Sequence, residues 1–74
     1  MALINLIPRE NIKSKVFDTH TEAITFTAGQ KYLIEDWFDA EGTIYAIITD
    51  NQHFRHYLSQ LYIDRHFIQF IEPN

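Results

Sequence analysis

Four histidines, His20, His53, His56 and His66, are the side chains of this 74-residue chain best suited to hold a metal or move a proton. His53 and His56 stand three apart, so on a strand they point to opposite faces and build no shared site. His20 and His66 are distant in sequence, and with no cysteine there is no thiolate to complete a ligand set. The histidines therefore read as surface or core-edge residues, and no metal site is assigned. Nucleophilic catalysis needs a hydroxyl beside a histidine that an acid orients; the chain offers the serines Ser14 and Ser59, neither in a recognisable elbow. Two glycines are too few for a phosphate-cradling loop, and no nucleotide fingerprint is present. Carboxylates do cluster, at Glu35-Asp36 and at Asp39 and Glu41. General acid work, however, needs a pocket that raises a pKa, and a hairpin tip is solvated. The chain reads as a non-enzyme with no catalytic residue and no cofactor.

The same acids matter for another reason. Glu35-Asp36-Trp37-Phe38-Asp39-Ala40-Glu41 combines four carboxylates with a phenylalanine and the sole tryptophan. A projecting hairpin of this composition would present an aromatic anchor ringed by negative charge, the make-up of a binding hot spot. The contrasting reading puts one aromatic over the core while the acids keep an edge strand soluble. Glu35, Asp36, Trp37, Phe38, Asp39, Glu41 and Tyr45 are the candidate partner-binding residues.

Several elements must position that stretch. Tyr32 and Ile34 begin a strand; Thr43 to Thr49 alternates Ile44, Ala46, Ile48 against Tyr45, Ile47, Thr49; His53 to Leu58 forms a third strand. Asp39-Ala40-Glu41-Gly42 predicts a short bulged loop between the first two, and Asp50-Asn51-Gln52 a turn between the next two. The three form a meander whose second strand is apolar on both faces, so a closing barrel, a partner or a second copy of the chain must cover it. Upstream, the run ending at Pro8 reads as an edge strand, and PRENIKSKVF suits one or two helical turns. Asp18-Thr19-His20-Thr21 reads as a turn and Ala23 to Thr27 as a strand stopped by Ala28-Gly29-Gln30. Downstream, Ser59 caps a single helical turn, and Ile68 to Glu72 is a last strand stopped by Pro73.

Length and composition set the bounds. One domain of this size has a marginal core, which eleven aromatic residues (six Phe, four Tyr, one Trp) must fill without disulfides. The lack of cysteine fits a reducing compartment, and MALINLIP lacks the basic start and long apolar run of a secretory signal, so a cytoplasmic protein with no membrane span is expected. Ten acids against six Lys and Arg, a net charge of −4, disfavour a general nucleic-acid binder.

The order of parts resembles the SH3-like β-barrels, with Phe26, Gly29 and Tyr32 in the place of the apolar residue, diverging turn and strand, and Tyr62 to Phe70 in that of the final turn and closing strand. The patterns F-T-x-G-x-x-Y-x-I and I-x-D-N and the pair His66-Phe67 also resemble small reading frames of bacteriophages and mobile elements. This resemblance, over about residues 22 to 72, implies a mainly β fold: an SH3-like barrel of about five short antiparallel strands with a short helical turn over residues 22–74, preceded by an arm over residues 1–21. The peptide groove of eukaryotic SH3 domains does not map onto this chain, whose single tryptophan departs from their pair, so the fold carries over and the ligand does not. The implied function is a protein-binding accessory or inhibitor, phage-encoded, that docks on a host enzyme or defence complex by the acidic aromatic hairpin and blocks it by occlusion. Its partner would offer a basic surface of the kind that holds nucleic acid, and its setting would be the host cytoplasm. The alternatives are a homo-oligomeric assembly component, a homodimer being the simplest, and a nucleic-acid-binding barrel that stacks bases on tyrosines beside Lys31, Arg55 and Arg65.

Overall fold

The computed structural model describes residues 3–15 and 22–73. In chain order the elements are strands β1 (Leu3–Pro8), β2 (Ile12–Lys15), β3 (Glu22–Phe26), β4 (Tyr32–Leu33), β5 (Asp36–Ala40), β6 (Thr43–Thr49) and β7 (Arg55–Ser59), helix α1 (Gln60–His66) and strand β8 (Phe67–Glu72). They form three open sheets with the orders β4-β1-β8, β2-β3 and β5-β6-β7, all neighbours antiparallel.

The fold is mainly β with one helix, as the alternation predicts, but the SH3-like barrel is overturned. Two features among the described residues keep the sheets open. The stretch expected to run as one strand into the hairpin divides between sheets: Tyr32 pairs with Leu6 of β1, whereas Trp37 pairs with Ala46 of β6. The crossing point is Ile34-Glu35, where the Ile34 N–H donates to Ile4 O and the next N–H, of Glu35, donates to Ile47 O, both at 2.9 Å. Finally, β7 runs directly into α1, which turns the chain away and lays β8 along β1 over six register pairs instead of beside β7. A barrel needs one continuous ladder that closes on itself, and here the pairing is divided among three separate sheets, each with two open edges.

The N-terminal run is a strand, yet it is the middle of its sheet and not an edge. Its inward residues are Leu6 and Pro8, both fully buried. The segment suited to helical turns forms β2 instead, with Ile12 opposite Phe26 and Ser14 opposite Ala23. Pairing with an apolar neighbour outweighs weak local helix propensity in so short a piece. The turn expected over residues 18 to 21 and the rest of that segment beyond Lys15 lie outside the described residues.

The core gathers Leu6, Phe26, Ala46, Ile48, Leu58, Ile63 and Phe67 from all three sheets and the helix, with Ile12, Tyr32, Ile34 and Tyr62 packed at its margin. The helix turns Ile63 into this core, Phe67 enters it at the start of β8, and Ser59 caps the helix by accepting the Tyr62 N–H at 3.3 Å.

Two turns position the hairpin sheet. Ala40 opposes Thr43 across a loop of two residues, Glu41 at φ 51° and Gly42 at φ 84°, so the β5–β6 connection is the primed two-residue type rather than a bulged one. The Gly42 N–H is held by Asp39 Oδ1 at 3.2 Å. Gly42→Ala meets no neighbouring atom but must adopt the left-handed backbone. It is expected to cost about 1 kcal/mol, read as a thermal midpoint lowered by roughly 4–8 °C in a domain of this size.

The β6–β7 turn is organised by Asp50, which is buried. Its Oδ1 accepts the N–H groups of Gln52 at 2.8 Å and Phe54 at 2.9 Å, while Oδ2 lies 2.6 Å from His56 Nε2. Burial pushes this carboxyl up, but the hydrogen bonds from His56, Phe54 and Gln52 and the charge of His56 together outweigh it and hold the group below the usual carboxylate range. Next to it, Asn51 bridges to β3, its side chain donating to Ile24 O and Thr27 Oγ1 at 3.0 Å each and accepting from the Tyr32 hydroxyl at 2.8 Å.

Candidate functional site

The seven candidate residues lie on or beside the β5–β6 hairpin, and the register distributes them over two faces. Residues directly opposite across an antiparallel pair share a face. Trp37, Ala46 and Leu58 form one row, and Ala46 and Leu58 are buried, so this face looks toward the core; Ile48 and His56 continue it, as do Asp39 and Ile44 in the other direction. Phe38, Tyr45 and Ser59 form a row on the opposite, outward face, beside the row Asp36, Ile47 and Tyr57. Adjacent residues on a strand must diverge in this way, so Trp37 and Phe38 serve different surfaces.

The outward face is an aromatic patch. Phe38 and Tyr57 are about half exposed and meet edge to face with centroids 5.4 Å apart. Tyr45 and Ile47, half-buried, lie between them on the central strand. Asp36 sits at its border, with one carboxylate oxygen 2.8 Å from the Trp37 N–H. Glu35 is engaged by its own sheet: its carboxylate accepts from Thr49 Oγ1 and lies 3.7 Å from Arg55 Nε.

The core-facing side continues past the end of the core. Trp37 is 45% exposed and Ile44 54%, and with Leu61 on the first turn of α1, at 70%, they flank an open groove of about 760 Å³ whose other lining residues are Gly42, Thr43, Ser59 and Gln60. Trp37 thus borders the core sheet through its pairing with Ala46 and is open to solvent. Asp39 and Glu41 stand at the hairpin tip beside this groove, Asp39 on its face opposite Ile44 and Glu41 next to Gly42.

The sequence reading missed Ile44 and Leu61. Ile44 belongs to the alternating set that forms the core, and only the length of the hairpin beyond Leu58 exposes it. Leu61 could have been found from the helix period, since a residue two before the buried Ile63 lies on another side of the helix.

The histidines take structural positions. His56 is held by Asp50 and packs edge to face on Phe26 with centroids 5.0 Å apart; His66 lies against Tyr62 with centroids 4.4 Å apart and the rings tilted by 44°; His53 adopts φ 69° in the β6–β7 turn. His20 lies outside the described residues. Among the described residues no three His, Asp or Glu converge as a metal site, and no helix is long and apolar enough to cross a membrane. Two of the cations named for a nucleic-acid surface already face acids, Arg55 as above and Lys31 at 2.6 Å from Glu72, above the Phe70 ring.

Compared with known proteins, the chain matches no family model, no curated protein and no solved structure. The SH3-like assignment is thus corrected by the open sheets, and with it goes the family likeness drawn from F-T-x-G-x-x-Y-x-I. Those residues have their own local cause: Gly29 turns at φ 80°, and the Tyr32 hydroxyl accepts the Thr27 N–H at 2.7 Å across that turn.

Proposed function

We propose that this chain is a non-catalytic protein-binding module that docks through the β5–β6 hairpin. The observation that carries the reading is the pair Trp37 and Phe38, each nearly half exposed on opposite faces of an edge strand, with Asp36, Asp39 and Glu41 around them. An aromatic residue that stays open to water beside carboxylates is costly in a domain with so small a core, and a partner that covers it recovers that apolar area. The acids would steer a basic surface to the hairpin, and the module would act by occluding that surface. Replacing Trp37 and Phe38 together by Ala is expected to abolish capture of a discrete, nuclease-resistant partner from lysate of the native host while circular dichroism stays that of the parent. Unchanged capture by the double variant would sink the reading.

A second reading, self-association, is favoured by a different edge. Among the described residues strand β8 pairs on one side, with β1, and Ile68, Phe70 and Ile71 are exposed. Strand edges with apolar side chains pair readily with another copy. A mass in sedimentation equilibrium that rises with concentration supports it, and a constant monomer mass counts against it.

A further inference from the structure

We propose that the groove bounded by Trp37, Ile44 and Leu61 is the docking cleft for a short segment of a partner protein that alternates apolar side chains with lysine or arginine. The inference rests on the protein-binding reading above and adds to it the side of the hairpin that is used and the chemistry of the occupant. Trp37 comes from the edge strand, Ile44 from the central strand and Leu61 from the helix, so three separate elements converge on one apolar trough. Anchors that are rigid, exposed and convergent are what an apolar side chain of a partner needs in order to be desolvated.

Charge selects the occupant. Asp39 shares the face of Ile44, and its carboxylate is fixed at the tip by the Gly42 N–H. Glu41 occupies the turn itself. At the helix side, Asp64 is held by Gln60 Nε2 at 2.7 Å, and Gln60 lines the groove. Acids therefore border the hairpin end of the trough, and none of the described residues that line it is a lysine or arginine. Arg65 and His66 border a separate, smaller recess of about 190 Å³ with Tyr62, across Leu61. A second copy would carry its own net charge of −4 to this acidic end, which like-charge repulsion opposes. A cationic apolar segment gains where a second copy loses.

Trp37 is the sole tryptophan, so its emission reports on the groove directly. The test titrates the whole chain with a synthetic peptide of alternating leucine and lysine, and with the same peptide carrying glutamate for lysine. The lysine peptide is expected to move the Trp37 emission to shorter wavelength and to saturate, and the glutamate peptide to leave it in place. Leu61→Ser, at a position too exposed to matter for folding, should weaken the lysine peptide about tenfold. The double change Asp39→Asn with Glu41→Gln should weaken it about tenfold at low salt and flatten its salt dependence. Phe54→Ser, 62% exposed at the far β6–β7 turn and outside the groove, should change affinity by less than about twofold. An emission unmoved by the lysine peptide overturns the proposal, as does equal binding of the two peptides or an affinity unaffected by Leu61→Ser. A shift that follows the protein's own concentration without peptide also overturns it, in favour of a second copy. If Phe38→Ala abolishes capture of a lysate partner and Leu61→Ser leaves it intact, the groove falls while the protein-binding reading stands.

Discussion

Phe26→Ala is expected to leave the chain unfolded at room temperature. Phe26 is 2% exposed and is the ring on which the three sheets meet: Tyr32 and His56 pack against it with centroids 5.0 Å away and Phe67 at 5.7 Å, each close to edge-on. Tyr32 and Phe67 belong to the sheet of β1, β4 and β8 and His56 to that of β5, β6 and β7, so one truncation removes the ring contacts that β3 makes with both other sheets. A buried Phe→Ala change costs about 3–5 kcal/mol. A domain below roughly 80 residues seldom holds more than about 3–5 kcal/mol in total. The loss therefore equals the whole stability. The checks are the near-ultraviolet circular dichroism and the urea unfolding curve: the variant should show no cooperative transition, whereas Phe26→Leu, which keeps most of the volume, should retain one with a lowered midpoint. A Phe26→Ala protein that unfolds within about 1 kcal/mol of the parent would contradict this account of the core.

The second large effect lies at Asp50. Asp50→Ala removes the acceptor for two backbone N–H groups and for His56 at a buried position. Stranding donors in this way costs about 1–3 kcal/mol, and toward the upper end because the acceptor is charged. Asp50→Asn should cost less, since its carbonyl oxygen can still accept from the turn. The pH dependence has a defined sign. The folded-state pKa of Asp50 is lowered from 3.8. Its contribution is thus fully present above the unfolded value and is lost as pH falls through the folded one, once the carboxyl is protonated in both states. Acid unfolding followed by Trp37 emission should therefore have a limb below about pH 4, and Asp50→Asn should weaken that limb. An acid limb identical in the two proteins would show that other carboxylates carry it.

Much of the local structure was legible because its causes are local. Alternation in Thr43 to Thr49 locates β6, and Ser59 ahead of residues that stop alternating locates α1. Gly29 and Gly42 both take the positive φ that their turns require. The errors fell where pairing partners decide. PRENIKSKVF has nothing in its own composition to forbid a helical turn, and Ile12–Lys15 became a strand because β3 lies beside it. Tyr32 and Trp37 looked like parts of one strand, since the break at Ile34-Glu35 has no proline or glycine to mark it; only the hydrogen bonds to Ile4 and Ile47 reveal that the chain changes sheets there. The barrel expectation failed for the same reason. Similar short strands and turns can be joined in several orders, and sequence spacing does not rank them.

The candidate site shows the same division. The acidic and aromatic character of residues 35–41 was in the sequence, because charge and side-chain type do not depend on the fold. The sequence by itself determined that this chain is a small, mainly β, acidic protein with a tight Gly42 hairpin carrying its only tryptophan. The tertiary structure alone decided that Trp37 and Phe38 serve opposite faces, that Ile44 outreaches the core, and that Leu61 comes to meet both Ile44 and Trp37 across a groove. The physical reason is the range of the interactions. Turn geometry and strand alternation are settled within a few residues, whereas a surface trough exists only where β5, β6 and α1, separate along the chain, end at the same place in space.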